Sequence, residues 1–200
     1  MMVKLEEIRT LLIVATLGCA LVAASPVLGF VLPEVGSERF SEFWLLGPHH
    51  MADGYPSDVA ADVEYAVFLG AENHMDSSEY YRVYVKFGNS NKLLPDIDSG
   101  VPSSLPALCE YRFFVGDGEV WGSAVNFGFE DVTVEGDVLS VGELVVDDVS
   151  FPVDVHAVWD AEDEGYFFVL FFELWRYDIE YDGFRFDDRY VGLQLNMTAS

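Results

Sequence analysis

Tyr80-Tyr81-Arg82-Val83-Tyr84-Val85-Lys86-Phe87 decides the fold class. Tyr81, Val83, Val85 and Phe87 fall on one side of an extended chain, and Tyr80, Arg82, Tyr84 and Lys86 on the other. A period of two is the mark of a β-strand with one face in a core. The pattern repeats on either side. Upstream, Val63, Tyr65, Val67 and Leu69 alternate with Asp62, Glu64 and Ala66, and the polar stretch 73–78 predicts a hairpin joining the two runs. Downstream, residues 89–106 form the longest loop, rich in Pro, Ser, Asp and Gly. Strand-like runs then resume at 109–115, 120–127, 132–134, 138–146, 151–159 and 190–195. Tyr166–Trp175 is apolar on both faces except for Glu173, which predicts a central strand covered on both sides. No helical periodicity follows residue 32. Many short strands separated by turns predict an all-β domain, an antiparallel β-sandwich over residues 39–197.

Ahead of these strands, residues 10–32 read TLLIVATLGCALVAASPVLGFVL, uncharged and almost wholly apolar. As a helix this stretch reaches roughly 35 Å, enough to cross a bilayer. Lys4 and Arg9 precede it, and Glu34 and Glu38 follow it. The positive-inside bias thus predicts a single-pass anchor, with residues 1–9 a cytoplasmic tail, 33–38 a linker and the body extracellular. The rival reading is a cleaved signal peptide ending at Val22-Ala23-Ala24. The apolar run continues past that point to Leu32 and Pro26 sits beside the cut, which favours retention.

The chain carries 35 acidic and 10 basic residues, a formal net charge of −25. Such a field repels nucleic acid and anionic lipid headgroups, so neither is expected as a partner. The acid is dispersed, lysine is confined to Lys4, Lys86 and Lys92, and 15% of residues are aromatic. The chain has ample material for a core, and its charge suits concentrated salt, as in a halophilic archaeon. Cys109 is the one cysteine after residue 32, which excludes an internal disulfide in the body.

Chemistry-bearing motifs are sparse. Asp96-Ile97-Asp98-Ser99-Gly100 opens like a calcium loop, but Ala107 stands where an EF-hand needs its bidentate acid. Asp96 and Asp98 are therefore the calcium candidates, a plain turn is the competing reading, and no cofactor or metal centre is assigned. Asp178, Glu180, Asp182, Asp187 and Asp188 form a second acidic cluster, read as the outward face of a strand. His49, His50, His74 and His156 lack zinc spacing. No nucleophile elbow, phosphate loop or metalloprotease helix is present, and pairs such as Glu119 with Asp131 are expected by chance among so many acids. A non-catalytic protein is expected. Asn196-Met197-Thr198 is a glycosylation acceptor at Asn196. Tyr80, Tyr84 and Phe68 lie opposite the expected core face, so either a second layer covers them or they form a platform for a protein or glycan partner.

Residues 36–56, GSERFSEFWLLGPHHMADGYP, resemble a family of archaeal membrane-anchored proteins, domain of unknown function 1616. The resemblance rests on Arg39, Phe40, Glu42, Phe43, Leu45, Leu46, Gly47 and Pro48, then Tyr55 and Pro56, and extends over about 36–197. It implies an exported, immunoglobulin-like sandwich and no assigned activity. Members often carry several membrane spans before this region, whereas this chain has one candidate. The expected role is a membrane-anchored surface interaction module. An accessory subunit of a transport, secretion or glycosylation complex is the first alternative, and a carbohydrate-active ectodomain the second.

Overall fold

The structure, a computed structural model, describes residue 9, residues 13–16 and residues 38–198. The chain divides into two compact units, Met1–Arg39 and Phe40–Ser200. In the first, Arg9 and residues 13–16 are helical, and the Thr16 hydroxyl donates to the Ile13 carbonyl at 2.9 Å. Most of the expected anchor lies outside the described residues, among which no helix is long and apolar enough to cross a membrane.

The second unit is all-β. Its strands are β1 Phe40–Leu46, β2 Asp58–Ala60, β3 Tyr65–His74, β4 Glu79–Gly88, β5 Cys109–Val115, β6 Val120–Glu135, β7 Val138–Val146, β8 Val149–Val158, β9 Tyr166–Asp178 and β10 Gly183–Thr198. They form two five-stranded sheets, β1-β3-β6-β7-β8 and β2-β10-β9-β4-β5. The inner faces share one core. Phe113 of β5 stacks on Trp121 of β6 with centroids 3.7 Å apart, and Phe87 of β4 meets Phe129 of β6 at 5.4 Å. Tyr81, Val83, Val85 and Phe87 point into this core, as the alternation requires.

Three expectations are corrected. β3 and β4 form no hairpin: β3 pairs with β1 and β6, and β4 with β5 and β9, so the turn at 75–78 carries the chain from one sheet to the other. The cause is Asn73, whose buried side chain ties that turn down to Val115 across the sandwich. Residues 120–135 are one strand rather than two. Phe129 stays in the core, and the polar residues that interrupt the apolar pattern include Asp131, at φ 50°. The acidic run 178–188 is not a strand face. Residues 179–182 are the β9–β10 turn, and a bulge between Phe186 and Arg189 turns Asp187 toward Arg176. Beyond the antiparallel pattern, β2 adds a short parallel pairing to the end of β10.

β9 is the central strand of its sheet and is covered on both faces, as expected. The outer cover comes from the 89–108 loop. Lys86 Nζ, 2.8 Å from Glu173 Oε2, donates to the Ser103 carbonyl at 2.8 Å, and the Ser103 amide donates to Glu173 Oε1 at 2.7 Å. Trp175 Nε1 also donates to Glu173, at 3.1 Å. Glu173 is fully buried and Lys86 is 4% exposed. The pair is thus both charge-matched and hydrogen-bonded, the condition for keeping ions inside a protein.

Candidate functional site

The residues at 39–56 build one edge of the domain. β1 is an edge strand whose Phe43 and Leu45 face the core. After it the chain reverses, with the Gly47 amide donating to the Met51 carbonyl at 2.8 Å. A Cβ on Gly47 would stand 2.0 Å from the Asp53 carbonyl oxygen, so this turn accepts only glycine. Tyr55 then folds back, its hydroxyl donating to the Leu45 carbonyl at 2.8 Å. Pro56 diverts the chain to β2, which meets β10 at Asn196–Thr198. Between β1 and residues 191–194 of β10 this leaves an open groove of about 560 Å³. Phe43 and Leu45 form one wall and Val191 and Leu193 the other, with Tyr55, Pro56 and Ser57 at one end. The volume falls in the range of ligand clefts.

The same segment shapes the outer face of its sheet. The Trp44 indole lies flat on Gly70, where a Cβ would come within 2.2 Å of the ring. His50 stacks on Phe68 with centroids 3.6 Å apart. Together they border a smaller groove of about 360 Å³, lined also by Gly70, Gly122 and Ala124. Phe40 stacks on His74 at 4.7 Å, and His74 Nε2 lies 3.2 Å from Glu72 and 3.9 Å from Glu42.

On the outer face of the other sheet, Tyr80 stacks on Phe114 at 4.2 Å and meets Phe184 edge-on at 5.0 Å. The Arg82 guanidinium sits 3.8 Å over Phe184 and bonds the Tyr84 hydroxyl. Tyr80 and Tyr84 are half-buried in this cluster, while Phe114 is 74% exposed. Glu110 bridges Arg82 and Arg112, one carboxylate shared between two guanidiniums.

The other predicted residues do not converge. Asp96 uses its carboxylate on its own turn, accepting from the Ser99 amide at 3.2 Å and hydroxyl at 2.8 Å, which lowers its pKa. Asp98 is exposed beside it. Glu119 and Asp131 lie roughly 40 Å apart along β6. His156 is exposed beside Asp154 and Ser140, away from the other histidines. Among the described residues no three of His, Cys, Asp and Glu come together to hold a metal. Asn196 lies within β10, its side chain accepting from the Tyr166 amide at 3.1 Å and donating to Asp58 at 3.4 Å.

Cys109 is half-buried at the start of β5, and burial, reinforced by Asp147 and Glu110, pushes its thiol up to about 11. Since the thiolate is the reactive species, Cys109 is expected to react with iodoacetamide at pH 8 about two orders of magnitude more slowly than free cysteine. A rate comparable to free cysteine would contradict this placement.

The groove leaves no direct signal in the sequence, because Phe43 and Leu45 stand about 150 residues from Val191 and Leu193 in the chain. The motif that forms one wall was visible. The family model of domain of unknown function 1616 (DUF1616) matches residues 33–138, which includes that motif and stops short of β10. No curated protein matches the sequence. Among solved structures, a β-glucosidase from Listeria innocua in complex with isofagomine aligns at 8% identity and TM-score 0.36, over 82% of this chain and 17% of that one. The PapD-like domain 7 of human CEP192 aligns at 6% identity and TM-score 0.34, over 84% and 92%. At those scores neither likeness carries an inference. The chain therefore spans about a sixth of the glucosidase it aligns with. With more than half of its residues matched by the family model, the chain belongs to the DUF1616 family.

Proposed function

We propose that this chain is a non-catalytic cell-surface module, anchored through residues 10–32 with its N-terminus inside, whose acidic, immunoglobulin-like β-sandwich binds a protein partner. The observation that carries this reading is the 560 Å³ groove, one wall of which is made by a segment inside the residues that the family model matches. The remaining chemistry-bearing side chains are dispersed, and Asp96, Glu119 and His156 are engaged by their own turn or strand neighbours.

The test is co-purification of C-terminally tagged full-length chain from native membranes solubilised in molar salt. A membrane fraction containing one partner at near-equal stoichiometry is expected, with the partner lost in Val191→Glu. Recovery of the chain alone, or from the soluble fraction, would contradict the proposal. The charge of −25 further predicts salt-dependent folding. Dialysis from molar salt into dilute buffer is expected to unfold the domain reversibly, and unchanged circular dichroism would sink the halophilic reading.

A further inference from the structure

We propose that the groove binds its partner by strand addition: an extended, non-acidic peptide segment, apolar at alternate residues, pairs with the free edge of β10 at Gly192 and Gln194. This rests on the interaction-module reading and names its mode and partner chemistry.

The Asn196 amide donates to the Ser57 carbonyl at 2.7 Å, so the main-chain polar groups of Asn196 point away from β9. Strand geometry sends those of Gln194 and Gly192 to the same edge. There the pairing stops, because β2 reaches only Asn196–Thr198 and Pro56 leads the chain off toward β1. The result is a short row of peptide groups in line with β2, at a groove whose apolar lining is Phe43 and Leu45 of β1 and Val191 and Leu193 of β10 itself. Free peptide N–H and C=O groups beside an apolar groove are the complement of an extended polypeptide, in which backbone bonds give affinity and alternate side chains give specificity. A free edge normally carries a proline or charges that discourage pairing. The β8 edge does, with Pro152 and Asp154, whereas Gly192 and Gln194 are exposed and uncharged. The net charge of −25 excludes an acidic segment and favours a neutral or basic one.

The probe is the peptide acetyl-Thr-Val-Lys-Val-Thr-Val-Lys-amide, titrated onto full-length chain in detergent at the lowest salt that preserves its circular dichroism. Two further peptides carry N-methyl groups on alternate residues, one set on each edge of the strand, and a fourth replaces Lys with Glu. Expected are saturable binding, at least tenfold slower hydrogen exchange at Gly192 and Gln194, loss of binding for one N-methyl register but not the other, and at least tenfold weaker binding of the Glu peptide. Gln194→Pro removes an edge N–H without touching the β9 ladder and should abolish binding. If that variant misfolds, the two N-methyl registers decide alone. Equal binding of all four peptides, binding of none, or Gly192 and Gln194 amides already protected in the free chain would overturn strand addition. Concentration dependence of such protection would identify a second copy as the occupant, and its absence the chain's own segment. The co-purification reports on the module independently of these outcomes.

Discussion

Lys86→Met is expected to lower the free energy of unfolding by about 3–5 kcal/mol, because it leaves Glu173 charged, fully buried and facing the place of its lost cation. Against the typical total of about 5–15 kcal/mol for a domain, that is a large share. The loss comes from an unpaired ion rather than from any large net value of the pair. The double variant Lys86→Met with Glu173→Met should therefore recover most of it. Hydrophobic groups of similar volume would fill the site, leaving the Ser103 amide and the Trp175 indole as the unmatched donors. Urea midpoints in constant molar salt measure both. A single-variant cost below about 1 kcal/mol, or a double variant no better than the single, would show that water reaches the pair and that the 89–108 loop does not seal it.

The same pair shows how far the sequence could be read. Alternation placed Lys86 on the face opposite the core, and that is where it lies. Alternation carries no information about a loop folding over that face, so an apparently solvated lysine is in fact buried. A signal was present: Glu173 is the one charge in an otherwise apolar two-faced run, and a buried carboxylate requires a cation. Period two likewise identified β3, β4, β8 and the end of β10, and the two-faced apolar run identified β9, but the alternation in β3 and β4 could not say which sheet each joins, since pairing is non-local. β2, three residues long and parallel to its partner, is below what alternation can register. The motif at 39–56 was legible as a motif, and its use as a groove wall was not, because the facing wall comes from β10.

Asn73 carries the second large effect, and it explains why β3 and β4 part company. Fully buried, its Nδ2 donates to the Ser77 carbonyl at 2.7 Å and the Val115 carbonyl at 2.9 Å. Its Oδ1 accepts from the Met75 amide at 3.0 Å and the Tyr81 hydroxyl at 3.2 Å, and that hydroxyl lies 2.9 Å from Ser41 Oγ. One amide side chain thus links β1, β3, β4 and β5. Asn73→Ala should cost about 3–4 kcal/mol, since four buried or half-buried groups lose their partner at about 1–3 kcal/mol for each that water cannot reach. Asn73→Asp should be no milder, because it aims carboxylate oxygen at two carbonyls. Tyr81→Phe removes the hydroxyl that meets both Asn73 and Ser41 and should cost about 1–2 kcal/mol. Burial foremost pushes the Tyr81 hydroxyl up to about 12 from an ordinary value near 10. The stability tied to its proton is whole below pH 10 and falls by up to about 1.4 kcal/mol per unit as pH rises toward 12. Tyr81→Phe should flatten that alkaline slope relative to the parent chain. Equal slopes in the two proteins, or an Asn73→Ala cost below about 1 kcal/mol, would mean that the turn at 75–78 holds itself and that the crossing between sheets is fixed elsewhere.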